Sequence, residues 1–238
     1  MTRKADHIVA LLPMKAHSER VRGKNFRNFA GRPLFRWILE TLLEVESIAK
    51  VVINTDARDI LAEHGLVEND RILIRDRPEA LCGDHVSMNR ILEDDVNAVP
   101  ADLYLMTHTT NPLLSVESIN AAIAAYLKGI AEGKDSLFSV NRYQTRFYRE
   151  DASPVNHDPA NLVRTQDLEP WFEENSNLYL FSRQSFASSA SRIGNKPLLF
   201  ETPHMESVDI DDEVGWTVAE LFALSKQIFT THSNFSRQ

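Results

Sequence analysis

Cysteine is almost absent from this chain, whose 238 residues include one, Cys82. A single thiol cannot form an intrachain disulfide or a zinc site made of several cysteines, so both of these structural staples are excluded. Such sparing use of cysteine is typical of proteins in a reducing compartment. The sequence therefore predicts a cytoplasmic protein.

Long hydrophobic runs are also absent. No segment approaches the roughly 20 apolar residues that a membrane-spanning helix requires, and the short apolar stretch before Pro13 lacks the cleavage site of a secretory signal. We therefore expect no membrane association. Glycine is scarce, at eight residues. Because the loop after the first predicted strand contains only Gly23, it matches neither the Walker A nor the GxGxxG pattern, which disfavours the commonest nucleotide-binding loops.

What is present is an ordinary globular composition, with 43% apolar and 25% charged residues, and we expect a single domain over residues 1–238. The net charge of −8 provides no global basic surface for nucleic acid. Residues 1–36 differ, since nine basic and two acidic side chains give them a net +7 and leave −15 for the remainder. This segment indicates a local site for a small anion such as a nucleoside triphosphate, although a solvated basic face explains the charge equally well.

Short apolar runs alternate with amphipathic stretches. The runs predict strands at residues 8–12, 51–54, 71–74, 103–106, 137–140, 178–181 and 208–210. Helical spacing follows Pro33 and the N-cap candidate Ser115, and further helices are predicted near residues 57–64, 87–96 and 213–225. The alternation predicts an α/β fold with a mostly parallel sheet, in which ligands bind beyond the carboxyl ends of the strands. Residues 141–176 break the pattern and are expected to form an irregular lid or dimerisation segment.

Two motifs could carry chemistry. The loop after the first predicted strand contains Lys15, Ser18, Arg20, Lys24 and Asn25, so several cations and backbone N–H groups could converge on one anion.

The second motif is the acidic stretch Ser207-Val-Asp-Ile-Asp-Asp212. On an extended strand Asp209 and Asp211 would face the same side, and such a pair of carboxylates favours Mg²⁺, which completes its shell with water and phosphate oxygens. The alternative is that Asp211 or Asp212 caps the helix predicted from Glu213, which would explain one aspartate but not an alternating pair.

The loop order Pro-x-Lys-x-x-Ser-x-Arg-x-x-Gly-Lys-Asn over residues 13–25, with Val-Asp-Ile-Asp at 208–211, resembles the sugar cytidylyltransferases, the family of acylneuraminate and 3-deoxy-manno-octulosonate synthetases. The resemblance implies a Rossmann-like three-layer α/β/α nucleotidyltransferase fold. It implies that the triphosphate of CTP is bound by Lys15, Ser18, Arg20 and Lys24, and cytosine by Asn25. It also implies catalytic roles for Lys24 and Arg20 and for Asp209 and Asp211, which would hold Mg²⁺.

Shorter matches concern the sugar. The family's sugar-contacting elements correspond to His108, Arg164, Gln166, Asn175 and Tyr179, with Arg142, Arg146 or Arg149 as alternatives to Arg164. The sequence departs from the family pattern at several positions, among them His17 in place of a small residue and Leu114 in place of arginine. Lys15 replaces arginine, Glu19 replaces lysine, His108 replaces glutamine and Ser176 replaces glycine.

The resemblance therefore implies that the protein activates an acidic, sialic-acid-like sugar: CTP plus sugar gives CMP-sugar plus pyrophosphate. It also implies a homodimer in which the segment 141–176 reaches the partner's sugar site. No general base is evident, although His17 and His108 are candidates. Three alternatives remain open: another sugar or nucleotide on the same fold, a non-catalytic nucleotide- or sugar-binding protein, and a nucleic-acid-binding protein that uses the basic segment.

Overall fold

The computed structural model describes residues 7–18 and 20–235, with side chains to residue 225, so Glu19 lies outside the described residues. The strands of the main sheet are β1 (Ile8–Leu11), β4 (Ile48–Thr55), β5 (Ile72–Asp76), β6 (Leu103–Met106), β7 (Ser136–Tyr143), β8 (Trp171–Phe181) and β9 (Pro197–Glu201). A small hairpin is formed by β2 (Asn28–Phe29) and β3 (Arg32–Pro33). The helices are α1 (Leu34–Glu44), α2 (Arg58–Glu63), α3 (Met88–Ala98), α4 (Val116–Ala131), α5 (Arg183–Ser189) and α6 (Glu213–Phe235).

The main sheet has the strand order β5-β4-β1-β6-β8-β7-β9. Its pairings are parallel except those that β8 makes with β6 and β7. The prediction of an α/β fold with a mostly parallel sheet is therefore confirmed. Because β1, β4, β5 and β6 run in one direction, the loops that follow them emerge along one edge of the sheet, where ligands of open α/β sheets bind.

Both faces of the sheet are buried, which explains why the central strands are continuously apolar. Alternate residues of β1 divide between two clusters: Ile8 and Ala10 pack with α1 and α4, whereas Val9 and Leu11 pack with α3 and α5. A third cluster joins α6, through Trp216 and Ala219, to the hairpin around Phe29. This third cluster brings the far end of the chain beside the loop that follows β1.

Two predictions about local structure are wrong. Residues 208–210 form a loop rather than a strand, although Ile210 is buried and its N–H donates to the carbonyl of Thr110 at 3.3 Å. The expected irregular segment is shorter than 141–176, because β7 continues to Tyr143 and β8 begins at Trp171. The remaining residues, 144–170, are called the arm below.

The sequence patterns missed α5, β9 and the hairpin. Helix α5 is serine-rich and buries little more than Phe186, but a capping box between Ser182 and Ser185 fixes its first turn. Strand β9 is a short edge strand with no buried residue. None of the described helices has the length and apolar character that a membrane span would need.

Candidate active site

A cleft of about 460 Å³ opens at the carboxyl edge of the sheet. Its walls come from the loop after β1, the segment before α3, the end of β6 and the loop before α6. The lining residues include Lys15, Ser18, Arg20, Lys24, Asn25, Arg77, Asp84, His108, Thr110 and Asp211. All five residues of the predicted phosphate loop are therefore brought to one cavity.

Asn25 fixes the shape of the loop. Gly23 adopts φ 62° and opens the 3-10 turn Lys24–Phe26, which buries Asn25. The Asn25 carboxamide donates to the carbonyl of Lys15 at 2.8 Å and accepts from the hydroxyl of Thr109 at 2.6 Å. One side chain thus ties the two ends of the loop together and anchors it to the residues that follow β6.

The loop meets the acidic stretch at the opposite end of the sequence. Arg20 donates from Nη1 to Oδ2 of Asp211 at 2.7 Å, and Lys24 donates from Nζ to the carbonyl of Ile210 at 2.5 Å. Arg20 and Asp211 are separated by 191 positions in the chain. The two motifs that the sequence singled out therefore form one cluster of opposite charges at the cleft.

Opposing electrostatic effects act within this cluster. Burial lowers the pKa of Lys24, although the negative charges of Asp209 and Asp211 oppose that shift. Desolvation of the Asp209 carboxyl by the surrounding protein atoms raises its pKa, even though part of the residue is exposed to solvent. Repulsion from the Asp211 carboxylate raises this pKa further. A hydrogen bond from Thr110 and the charge of Lys24 act in the opposite direction. A cation near these carboxylates is therefore electrostatically favoured.

Helix capping accounts for Asp212 rather than for the alternating pair. The Asp212 carboxylate accepts the N–H of Gly215 at 2.7 Å, as expected of an N-cap, whereas Asp211 is paired with Arg20. In the described part of the chain no three His, Cys, Asp or Glu side chains converge as a metal site. The donor set is thus two carboxylates, which fits Mg²⁺ because this ion takes its other ligands from water and phosphate.

Acidic residues also contact the predicted phosphate loop near its beginning, at residues 15 and 16. Lys15 forms an ion pair with Asp84, and the N–H of Ala16 donates to Asp56 at 2.7 Å. Ser18 lines the cleft, whereas His17 is exposed and is not one of the lining residues. Lys15 is therefore positioned at the cleft with its charge partly balanced.

His108 follows the carboxyl end of β6, the strand that pairs with the part of β8 containing Tyr179. In the β6–β8 register Met106 pairs with Tyr179, and His108 follows two residues later at the cleft. Burial and the charges of Arg192 and Lys24 lower the pKa of His108 to about 3, so its imidazole is neutral. A pKa this far below neutrality makes the imidazole a weak base, which favours a hydrogen-bonding role over proton abstraction near neutral pH.

Tyr179 belongs to a polar cluster that includes Arg192, a residue that the sequence analysis did not identify. Its buried side chain donates to Glu174 and lies 3.2 Å from the hydroxyl of Ser176. The Arg192 guanidinium lies 4.0 Å above the Tyr179 ring and donates to the phenol oxygen at 2.9 Å. Burial raises the pKa of Tyr179 to about 12, so the phenol stays protonated.

Of the predicted sugar-binding residues only His108 lines the cleft; Tyr179 is fully buried behind it, and the other three lie elsewhere. Asn175 is buried, donating to Asn141 at 3.0 Å and to Thr202 at 2.7 Å. Arg164 forms a two-point ion pair with Asp167, three residues along the arm, and its side chain is 73% exposed. Gln166 is an exposed arm residue whose carbonyl accepts from Gln144. The alternative arginines bond within the same segment: Arg142 with Gln144, Arg146 with Val163 and Arg149 with residues 153–154.

Sequence reasoning also missed Arg77. It follows β5, and its guanidinium donates to Asn54 and to the carbonyl of Met14 while lining the cleft. Its position directly after a strand of the parallel sheet is the signal that could have identified it, because such positions lie at the ligand-binding edge.

Comparison with solved structures supports the fold. A CMP:2-keto-3-deoxy-manno-octonic acid synthetase complexed with CTP superimposes with a TM-score of 0.62 at 16% identity, covering 92% of this chain and 98% of that one. The 4-diphosphocytidyl-2C-methyl-D-erythritol synthase of Anaerococcus prevotii gives a TM-score of 0.63 at 13% identity, with 91% and 95% coverage. At these identities the likeness shows a shared nucleotidyltransferase fold.

Sequence comparison extends further. N-acylneuraminate cytidylyltransferase A of Danio rerio is 28% identical over 92% of this chain and 51% of its own length. The CMP-N,N'-diacetyllegionaminic acid synthase of Legionella pneumophila is 26% identical over 90% of this chain and 94% of its own length. The chain thus spans about half the length of the vertebrate relatives that it matches. Since the sequence profile described as Cytidylyltransferase matches residues 9–235, this chain belongs to the cytidylyltransferase family of nucleotidyltransferases.

Proposed function

We propose that this protein transfers a cytidylyl group from CTP to an acidic, sialic-acid-like sugar and releases pyrophosphate. The observation that carries the proposal is the contact of the cationic loop with residues 210–211, because it joins basic side chains and a carboxylate that such a reaction would use. The relatives support CTP as the nucleotide, since their names describe cytidylyltransferases and one solved relative is complexed with CTP.

The chain's own residues account for triphosphate binding. Lys15, Arg20 and Lys24 are the cations at the cleft, and Ser18 adds a hydroxyl. In this structure Arg20 forms an ion pair with Asp211, and Lys15 forms an ion pair with Asp84. A triphosphate offers both side chains a stronger anionic partner, so we infer that Arg20 moves from Asp211 to a phosphate oxygen when CTP binds. Asn25, whose carboxamide already ties the loop together, is proposed to contact the base.

Asp209 and Asp211 would hold the magnesium ion. When bound, Mg²⁺ neutralises phosphate charge and lowers the pKa of a coordinated hydroxyl. The exchange of partners by Arg20 leaves the Asp211 carboxylate available to the ion. In the reaction, the sugar hydroxyl forms a bond to the α-phosphorus, the bond to the β-phosphate oxygen breaks, and the hydroxyl proton is lost to solvent or to an unassigned base. Lys24 stabilises the charge that develops on the departing pyrophosphate.

The sugar is proposed to lie against His108 and the Tyr179 cluster, on the side of the cleft away from Lys15. The coverage of the Legionella relative, 90% and 94%, supports a nonulosonic acid as the substrate class. Roles for Arg164, Gln166 and Asn175 remain predictions. The first two fit a homodimer in which the arm reaches a second copy, since apolar side chains such as Leu162 and Tyr148 are exposed along it.

Pyrophosphate release tests this proposal. The purified protein is incubated with Mg²⁺, each of the four nucleoside triphosphates, and either N-acetylneuraminate, 3-deoxy-manno-octulosonate or a neutral hexose. We expect release with CTP and one of the acidic sugars, and formation of the CMP-sugar by mass spectrometry. Release with a different triphosphate would contradict the cytidylyl assignment, and release with the hexose would contradict the acidic substrate. Binding of CTP without turnover of any sugar would favour a non-catalytic protein.

A further inference from the structure

A buried carboxylate lies behind the cleft and is not used in the mechanism above. Asp95, on α3, has no exposed surface, and its Oδ1 accepts from Arg75 and from the Asn54 amide, the latter at 2.8 Å. Its Oδ2 is buried without a hydrogen-bond partner in the described part of the chain. Burial raises the pKa of Asp95 to about 6. Such a group costs stability relative to a well-packed apolar side chain, and packing alone does not explain its presence.

The carboxylate is connected to the cleft by one carboxamide. Asn54, at the end of β4, is fully buried and donates from Nδ2 to Asp95. Its Oδ1 accepts from Nε of Arg77 at 2.9 Å, and its backbone carbonyl accepts from Nη2 of Arg77 at 2.8 Å. Arg77 in turn lines the cleft. The three side chains therefore form a continuous hydrogen-bonded path from the interior to the proposed nucleotide site.

We propose that Asp95 and Asn54 are positioning residues that hold Arg77 in the orientation required to bind the nucleotide. The inference rests on the proposed function, because it assigns a role within the same CTP site.

The chemistry of the two groups explains how this positioning works. An ionised carboxylate accepts hydrogen bonds and donates none, so it fixes the Asn54 amide with its NH₂ toward Asp95. Only this orientation presents Oδ1 to Arg77, since the opposite one would place the amide NH₂ against the Nε–H. Asp95 therefore selects the amide orientation that Arg77 needs.

The path also leaves the charge of Arg77 available to a ligand. In the described part of the chain the guanidinium donates to three uncharged oxygens, two of Asn54 and the carbonyl of Met14. Arg75 forms the direct ion pair with Asp95, so that the hydrogen-bonded connection of Arg77 to this carboxylate runs through the Asn54 amide. Because Met14 immediately precedes Lys15, the same bonds fix the start of the phosphate loop.

The test uses Asp95→Asn, Asn54→Asp and the double exchange, with Asp102→Asn as a matched control on the exposed start of β6. Asp95→Asn introduces an amide that can itself donate, so that position 95 no longer fixes the Asn54 amide, which keeps only its longer contact with Asp94 at 3.4 Å. Asn54→Asp places two carboxylates against each other. In the double exchange the amide introduced at position 95 can donate to the carboxylate introduced at position 54, which can again accept from Arg77. CTP affinity is measured by calorimetry with Mg²⁺, KM for both substrates and kcat by pyrophosphate release, and stability by urea unfolding.

We expect the Kd for CTP to rise about fivefold in Asp95→Asn and about tenfold in Asn54→Asp, and to return to within about twofold of wild type in the double exchange. KM for the sugar should change less than twofold in all three. Urea midpoints that fall while the Kd for CTP stays constant would show a purely structural role and overturn the inference, leaving the proposed function intact. A wild-type protein that does not bind CTP would overturn the proposed function, and this inference with it.

Discussion

The nucleotide side of the cleft and the arm differ in what fixes their side chains. On the nucleotide side, Lys24 and Asn25 are bonded to groups more than 80 positions away, at Ile210 and Thr109. On the arm, Arg164 is bonded to Asp167 and Arg146 to Val163, which are near neighbours. The proposed nucleotide side is thus held by contacts between distant parts of the chain, whereas the arginines of the arm are held by contacts within the arm. We expect substitutions on the two sides to differ accordingly in size and kind.

The largest effect is expected at the acidic pair. Asp209→Ala or Asp211→Ala should lower kcat about 10³-fold, because each removes a carboxylate of the proposed magnesium site and leaves Lys24 and Arg20 uncompensated. The measurement is pyrophosphate release over a range of Mg²⁺ concentrations.

Asp212→Asn is the matched control for the acidic pair. Its side chain caps α6 and forms no part of the proposed site. Asparagine is itself a good N-cap, so this variant should retain wild-type kcat. Equal losses at Asp209, Asp211 and Asp212 would mean that the whole stretch serves the packing of α6.

Lys24 should give the next largest effect. Lys24→Met is expected to lower kcat/KM for CTP about 10²-fold. Lys24 is a half-buried cation beside the two carboxylates and the proposed triphosphate site, and neither Lys15 nor Arg20 occupies that position. Steady-state kinetics with varied CTP provide the measurement, and Lys24→Arg is the control that keeps the charge. An effect confined to the KM of the sugar would show that Lys24 contacts the sugar rather than the triphosphate.

The convergence of the two charged motifs could be predicted from the sequence, but the local geometry could not. The loop and the acidic pair were expected to meet because the resemblance to the sugar cytidylyltransferases assigns both to one site for CTP and Mg²⁺. The strand predicted at residues 208–210 is wrong, since the apolar residues there serve packing: Ile210 is buried against α6 and the hairpin. A run of three residues carries too little periodicity to distinguish a buried loop from a strand.

Arg77, Arg192 and the Asn54–Asp95 path could not be found from motifs. Each depends on which groups the fold brings together across 13 to 63 positions, as between Arg192 and Tyr179 or Arg77 and Met14. Asn175 shows the opposite limit of sequence reasoning, in which a motif predicts a contact that the fold does not make. Its position in a family motif predicted a sugar contact, whereas its amide is used in a buried network with Asn141 and Thr202.

The arm should give a smaller effect that is confined to the sugar. Arg164→Ala is expected to raise the KM of the acidic sugar about tenfold and leave the KM of CTP unchanged, because a lost charge-assisted contact to a carboxylate costs one to two kcal/mol, about a factor of ten. If the arm serves a second copy, mixing Arg164→Ala with Asp209→Ala subunits should restore activity that neither variant has at low sugar concentration. No recovery on mixing would confine the arm to its own chain.

Substitution of His108 is expected to have the smallest effect on kcat and the clearest effect on how stability depends on pH. His108→Gln should change the KM for the sugar severalfold with little change in the KM for CTP, because both side chains are neutral hydrogen-bonding groups.

The folded protein lowers the pKa of His108 to about 3, below the value of about 6.5 for an unfolded chain. The native state therefore favours the neutral ring, and the stability that this confers is present above pH 6.5 and is lost as the pH falls toward 3. NMR titration should show no ionisation of His108 between pH 5 and 8, and the urea midpoint of His108→Gln should depend less on pH below 6.5 than that of wild type. A His108 ring that titrates near 6.5 would show that burial and the charges of Arg192 and Lys24 do not lower its pKa, and would return it to the candidates for the general base.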